Sequence, residues 1–154
     1  MQYLRSATLA LGLLSSIATS LSFAQSLDAR LQGCATCHGV DGNSALPNIP
    51  SLAGQPRVFL ENQMVVIREG LREIPAMKGQ LEGVNDATII AMAKFYASQN
   101  VKSSPAQKNQ VLYEKGQAIS KEALCGTCHL PNYVGRDQIP RIAGQREDYL
   151  LYSM

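Results

Sequence analysis

Two short motifs contain every cysteine and every histidine of the chain. They read Cys34-Ala-Thr-Cys37-His38 and Cys125-Gly-Thr-Cys128-His129. Two thiols at this spacing near a helix end can each bond one vinyl group of a haem, and the adjacent imidazole can reach the iron. The sequence therefore predicts two covalent c-type haems. The predicted attachment residues are Cys34, Cys37, Cys125 and Cys128, and the predicted iron ligands next to them are His38 and His129.

The same cysteines could serve three other purposes, and each fits the sequence less well. A scaffold of two disulfides would leave the paired histidines unexplained, and the chain is long for such a scaffold. A zinc ribbon separates its cysteine pairs by about 15 to 20 residues, whereas Cys34 and Cys125 lie 91 positions apart. A thioredoxin-like redox pair needs a βαβ context, and no strand-like alternation of apolar residues flanks either motif.

The N-terminus has the features of an export signal. Arg5 forms a short basic region, residues 7–18 are small and apolar, and Ser22-Phe23-Ala24 matches a cleavage site. An uncleaved membrane anchor is the alternative, but this apolar region is shorter than a bilayer span. We expect residues 1–24 to be a signal peptide that is cleaved after Ala24, which predicts a periplasmic location.

The charge balance argues against a nucleic-acid partner. The formal net charge is +2, and loss of Arg5 with the signal peptide lowers it to +1. Mixed charges near neutrality provide no basic surface for nucleic acid. Peripheral association with a membrane stays open as an alternative.

An internal repeat organises the rest of the chain. The segment "IPSLAGQPRVFLENQM" pairs with "IPRIAGQREDYLLYSM", so that Gln55 and Gln145 are equivalent at an offset of 90 residues. Such a repeat predicts two homologous units in tandem. We expect a first domain over residues 25–100, a polar linker over 101–106, and a second domain over 107–154.

Helical periodicity outlines both units. Ser26 is expected to cap a short helix that leads into the first motif. A second helix is predicted from Pro56 through Glu69, and a third from Asn85 or Asp86 through Ser98. A further helix carrying Val111 and its neighbours leads to the second motif. The fold class expected from these elements is all-α.

At this point the chain resembles the two-haem class I cytochromes of the cytochrome c4 family. The resemblance lies in both CxxCH motifs, "CHGVDGNS", "PNIPSLAGQ" and "IPRIAGQ", and it extends over nearly all of the chain after the signal. It implies tandem class I cytochrome c domains, each a few helices wrapped around one covalent haem. It also implies that a loop methionine binds each iron opposite the histidine.

Three methionines compete for the first iron. Met64 and Met92 fall on predicted helices and are expected to fill the core. Met77 follows Pro75 in a loop, and its position resembles the ligand loop of the family. The resemblance therefore favours Met77 as the distal ligand.

The repeat also bears on the second iron. Met154 aligns with the helical Met64, and the offset of 90 would place the counterpart of Met77 near position 167. We expect the second distal ligand to lie beyond residue 154, the second domain to be incomplete at its C-terminus, and the chain to be part of a longer one.

Two prolines occupy equivalent places in the units. A backbone carbonyl near Pro50 or Pro140 could accept the Nδ1–H of the haem-ligating histidine and fix its tautomer. Alternatively, these prolines only shape a turn. Pro47 is a rival acceptor in the first unit.

The function implied by these features is electron transfer rather than catalysis. Haem iron with two firm ligands has no open site for a substrate. We expect a periplasmic dihaem carrier whose partners are redox proteins, with a quinol-oxidising complex or dehydrogenase as donor and a terminal oxidase as acceptor. The alternatives are a cytochrome subunit of a dehydrogenase complex and a haem peroxidase-like enzyme.

Overall fold

The structure is a computed structural model that describes residues 15–102 and 108–154, with side chains from residue 27 onward. The side chains of the predicted signal peptide, residues 1–24, lie outside the described part, as does most of the predicted linker 101–106. The described secondary structure is helical, apart from an isolated β-bridge between Arg136 and Ile139. This confirms the all-α prediction.

Six α-helices and one 3-10 turn form the described part of the chain. The helices are α1 (Ser15–His38), α2 (Arg57–Arg68), α3 (Asp86–Ala97), α4 (Gln110–Glu122), α5 (Cys125–His129) and α6 (Glu147–Ser153). The 3-10 turn spans Pro75–Met77, between α2 and α3. In the residues described, no helix has both the length and the apolar character needed to span a bilayer.

The first helix differs from the prediction. A short helix capped by Ser26 was expected, but α1 already includes Ser15 and runs through Ser26 to His38. Ser26 is therefore an interior helical residue and not a cap. The physical reason is that the preceding residues are small and apolar and contain no proline or glycine that would interrupt the helix.

The ends of α2 and α3 follow their local sequence signals. Pro56 directly precedes α2, where its fixed φ suits a helix start. The side chain of Asn85 accepts a hydrogen bond from the Thr88 backbone N–H at 2.8 Å, which caps α3. The sequence left Asn85 and Asp86 open as the cap, and the structure selects Asn85.

The hydrophobic core lies where α1, α2 and α3 meet. One buried cluster contains Leu81, Val84, Ile89 and Met92, and a second contains Leu60, Ala93 and Tyr96. Leu31 and Cys34 of α1 pack against both clusters. Fully burying an aliphatic side chain contributes about 1.5 to 3 kcal/mol, so this core holds the end of α1 firmly in place.

The second unit is packed differently. Among the described residues from 108 onward, no hydrophobic side chain is buried. Large apolar side chains on α4 are exposed, with Val111 at 62%, Leu112 at 61% and Ile119 at 65%. The described part of this unit is therefore arranged mainly by turns and hydrogen bonds.

Candidate haem-attachment sites

The first motif forms the last turn of α1. Cys34 is half-buried against the core, Cys37 is exposed, and both thiols are free. His38, the last residue of the helix, is only 8% exposed. The motif thus presents two unpaired thiols beside a buried imidazole, which is the donor set that covalent haem attachment requires.

The orientation of His38 is fixed by a backbone carbonyl. Its Nδ1 lies 2.9 Å from the carbonyl oxygen of Pro50. The carbonyl can only accept, so Nδ1 carries the proton and Nε2 keeps its lone pair. In the second unit, His129 Nδ1 lies 2.9 Å from the carbonyl oxygen of Pro140. The sequence left open whether these prolines accept from the histidines or only shape a turn; the structure shows both Pro50 and Pro140 as acceptors, and Pro47 is not the acceptor of His38.

Burial disfavours the charged forms of two side chains in the first motif, Cys34 and His38. It lowers the pKa of His38, and the hydrogen bond to Pro50 partly opposes this shift. Burial likewise raises the pKa of the Cys34 thiol, although a hydrogen bond with Tyr96 acts in the other direction. A neutral imidazole is the form that can donate its nitrogen lone pair to a metal.

The second motif forms a helix of its own. It occupies the single turn of α5, between Leu124 and Leu130, both of which have positive φ angles. Cys125 is half-buried, Cys128 is exposed, and both thiols are free. None of the four cysteines forms a disulfide, so the thiols remain available.

The loops after the two motifs have the same hydrogen-bond pattern. The carbonyl oxygen of Gly42 accepts from the N–H groups of Leu52 and Ala53, at 2.7 and 3.0 Å. The carbonyl oxygen of Tyr133 accepts from those of Ile142 and Ala143, both at 2.9 Å. These residues are equivalent in the sequence repeat. The repeat therefore extends to the conformation of the loop that delivers the proline carbonyl to the histidine.

Sequence reasoning missed a serine pair that supports the first loop. The Ser44 hydroxyl donates to the carbonyl oxygen of Cys37 at 3.0 Å, and the Ser44 N–H donates to the Ser51 hydroxyl at 3.1 Å. Both side chains are buried. The signal available in the sequence was the position of Ser51 directly after Pro50.

The three methionines considered for the first iron lie in different environments. Met92 is 2% exposed inside the core, as predicted for a core residue. Met64 packs against both buried clusters from α2. Met77 ends the 3-10 turn, is half-buried, and packs on the same cluster as Cys34. The structure thus places Met77 and Cys34 on one apolar cluster, and the role of Met77 as a ligand remains a prediction.

The donor sets agree with haem c in both units. Each has two free thiols and an imidazole whose Nε2 is left unprotonated by the contact with proline. In addition, the Nε of Arg141 is buried and lacks a hydrogen-bond partner within the described residues. A buried cationic donor of this kind fits an anionic group of a cofactor.

Comparisons with known proteins agree with this geometry. Residues 29–95 match the family described as cytochrome c oxidase, cbb3-type, subunit III. Cytochrome c4 of Pseudomonas aeruginosa is 36% identical over 124 residues, which cover 76% of this chain and 62% of that protein. The thiosulfate dehydrogenase electron acceptor of Thiomonas intermedia is 27% identical, over 76% of this chain and 58% of that protein.

A solved structure is also similar. The crystal structure of reduced recombinant cytochrome c4 from Pseudomonas stutzeri matches with a TM-score of 0.74 at 30% identity, and it covers 84% of this chain and 77% of that one. The fold and the paired motifs define a class I c-type cytochrome, and the chain belongs to the cytochrome c4 family. The chain spans 62% to 63% of the length of three cytochromes c4 to which it is similar in sequence.

Proposed function

We propose that this chain is a periplasmic dihaem cytochrome that carries electrons between redox proteins. The observation that supports this most strongly is the repeated arrangement of two free thiols next to an imidazole whose Nδ1 contacts a proline carbonyl. Haem c bound in such a site supplies a one-electron couple between ferric and ferrous iron.

The residues of the chain have separate tasks in this proposal. Cys34 and Cys37 would attach the first haem and Cys125 and Cys128 the second, while His38 and His129 would each offer Nε2 as an iron ligand. The proline carbonyls hold both rings in one orientation, which lowers the reorganisation needed when an electron arrives. Met77 is proposed as the distal ligand in the first unit, because its 3-10 turn and Cys34 border the same cluster.

The boundaries and the location belong to the proposal as well. We assign residues 1–24 to a signal peptide, 25–100 and 107–154 to two cytochrome domains, and 101–106 to a linker. Export to the periplasm agrees with covalent haem attachment, which would use all four free thiols of the chain. The second distal ligand is not assigned to any residue of this chain.

Redox proteins are the proposed partners. A relative named as the electron acceptor of thiosulfate dehydrogenase supports a dehydrogenase as donor. A quinol-oxidising complex is the alternative donor, and a terminal oxidase is the proposed acceptor. A cytochrome subunit within a dehydrogenase complex would use the same residues. The two cases differ only in whether the partner copurifies with the protein.

Voltammetry of the purified natural protein tests carrier function against catalysis. A carrier is expected to give two reversible one-electron couples whose currents do not change when hydrogen peroxide is added. A catalytic current with peroxide would overturn the proposal in favour of a peroxidase-like enzyme. A flavin or quinone enzyme that stays bound through purification would favour the dehydrogenase subunit.

A further inference from the structure

Two glutamines link the repeats in a reciprocal manner. Gln55, which is 5% exposed, forms two hydrogen bonds with the backbone of Arg141 in the other repeat. Its Nε2 donates to the Arg141 carbonyl oxygen at 2.9 Å, and its Oε1 accepts from the Arg141 N–H at 2.9 Å. One side-chain amide thus satisfies both polar groups of a single backbone residue.

Gln145 makes the equivalent contact in the opposite direction. Its Oε1 accepts from the Ser51 N–H at 2.8 Å, and its Nε2 donates to the Ser51 carbonyl oxygen at 2.9 Å. Ser51 and Arg141 are equivalent residues of the repeat, as are the two glutamines. The contact is therefore crossed, which means that the glutamine of each repeat forms hydrogen bonds with the loop backbone of the other repeat.

The two residues whose backbones bind the glutamines are Ser51 and Arg141. Each directly follows a proline whose carbonyl oxygen contacts a histidine. The peptide group between Pro50 and Ser51 accepts from His38 through its carbonyl and donates to Gln145 through its N–H. The peptide group between Pro140 and Arg141 connects His129 to Gln55 in the same way. Each imidazole is thus joined to the opposite repeat through one peptide group.

Such a chain of hydrogen bonds has an electronic consequence. A peptide N–H that donates to an acceptor polarises its own carbonyl, which then becomes a stronger acceptor. A stronger acceptor at Nδ1 makes the imidazole a better donor at Nε2. Better donation favours the ferric iron, so each glutamine is positioned to lower the potential of the haem in the other repeat.

We propose that Gln55 and Gln145 are crossed positioning residues, each tuning the haem ligand of the opposite repeat through the proline peptide group. The inference rests on the proposed haem sites. It differs from simple adhesion between the repeats, because adhesion would affect both histidines alike whereas the crossed contacts affect one at a time.

The variants Gln55→Met and Gln145→Met remove the amide with little change in side-chain length. Two readouts are measured in each variant. One is the solvent exchange rate of each histidine Nδ1–H in the reduced state, followed by NMR with resonances assigned through neighbouring residues. The other is the midpoint potential of each haem.

For Gln55→Met we expect about two- to tenfold faster exchange at His129 and a raised potential of the haem on Cys125 and Cys128. His38 and its haem should be unchanged. Gln145→Met should show faster exchange at His38 and a raised potential of the haem on Cys34 and Cys37, with His129 and its haem unchanged. Gln55→Glu, measured at a pH at which the introduced carboxyl is protonated, keeps an acceptor for the Arg141 N–H and a donor for its carbonyl oxygen. It should return the exchange rate at His129 toward that of the wild type.

Asp148→Ala is the matched control. The Asp148 carboxylate accepts from the Asn48 N–H across the same interface at 3.2 Å but has no bond to either proline peptide group. It should change neither exchange rate. Equal effects at both histidines, effects only within the mutated repeat, or no effect in a fully haem-loaded protein would each overturn the inference. Absence of haem from the wild-type protein would instead overturn the proposed function.

Discussion

A side-chain carbon placed on Gly54 would lie 2.5 Å from the Cγ2 methyl of Val101. The equivalent Gly144 has the same neighbour, at 2.7 Å from Cγ1. Both glycines have positive φ angles, of 61° and 74°. Val101 therefore packs between the two glycines that precede the crossed glutamines, and only glycine allows this approach.

Gly54→Ala should destabilise the protein for both reasons. The left-handed backbone costs a residue with a side chain about 1 to 2 kcal/mol, and overpacking costs about 1 to 3 kcal/mol. We expect the free energy of unfolding measured in urea to fall by at least about 2 kcal/mol. Adding Val101→Ala should recover the part due to overpacking, so the two changes should be non-additive. Strict additivity would show that Val101 is not the obstacle.

Met77→Ala tests the distal ligand of the first haem. A thioether ligand gives ferric haem a weak charge-transfer band at the red end of the visible spectrum and raises the potential. The substitution should remove the contribution of this haem to the band and lower its potential. Met64→Leu is the control, since it replaces a core methionine with a residue of similar volume and should leave both properties intact. The opposite pattern would assign the ligand to Met64.

Leu130→Gly should stabilise the second unit. Leu130 has φ 68° and ψ 157°, a region that is almost exclusive to glycine. Relief of about 1 to 3 kcal/mol of strain exceeds the entropic cost of glycine, about 0.5 to 1 kcal/mol. The expected net gain is about 1 kcal/mol in thermal or urea unfolding.

The equivalent residue of the first unit provides the control for this change. Gly39 has φ 80°, and a side-chain carbon there would lie 2.5 Å from the carbonyl oxygen of Asn43. Gly39→Ala should therefore be destabilising. A loss of stability in Leu130→Gly would mean that the packing of the leucine outweighs its strain.

Acid should weaken the contact that Asp148 makes with the first unit. Its ion pair with Arg146 lowers the pKa of Asp148 to about 2, from 3.8. Because the folded pKa is lowered, the stabilisation is complete above pH 3.8 and is lost as the pH falls toward 2. Asp148→Asn should thus be less stable than wild type at pH 5, and the difference should shrink as the pH falls through about 2.

Urea unfolding across this pH range measures the effect. Glu147→Gln is a suitable control, because Glu147 takes part in no ion pair within the described residues. This variant keeps the pair between Asp148 and Arg146, so the loss of that pair in acid should still be seen. A constant difference between Asp148→Asn and wild type at every pH would rule out the ion pair as its cause.

The sequence predicted most helices of the first unit, because their ends depend on local signals. Pro56 before α2 and the Asn85 cap of α3 are examples. The predicted start of α1 was wrong. Ser26 lies in a stretch with no helix breaker, and a residue that could serve as an N-cap does not begin a helix that already extends further upstream.

The contacts between the repeats could not be predicted in the same way. The sequence marks Gln55 and Gln145 as equivalent, but nothing local indicates that each reaches the backbone of the other repeat. Val101 was assigned to a polar linker, yet its side chain packs against Gly54 and Gly144. Such contacts join residues far apart in the sequence, so spacing and periodicity carry no information about them.

The central claim is that each CxxCH motif holds one covalent haem. The mature natural protein is denatured, extracted with acid acetone, and assayed for haem per chain. The account predicts that two haems stay with the polypeptide, and that Cys125→Ala combined with Cys128→Ala leaves one. Haem that passes into the solvent, or a ratio near zero in the wild-type protein, would contradict it.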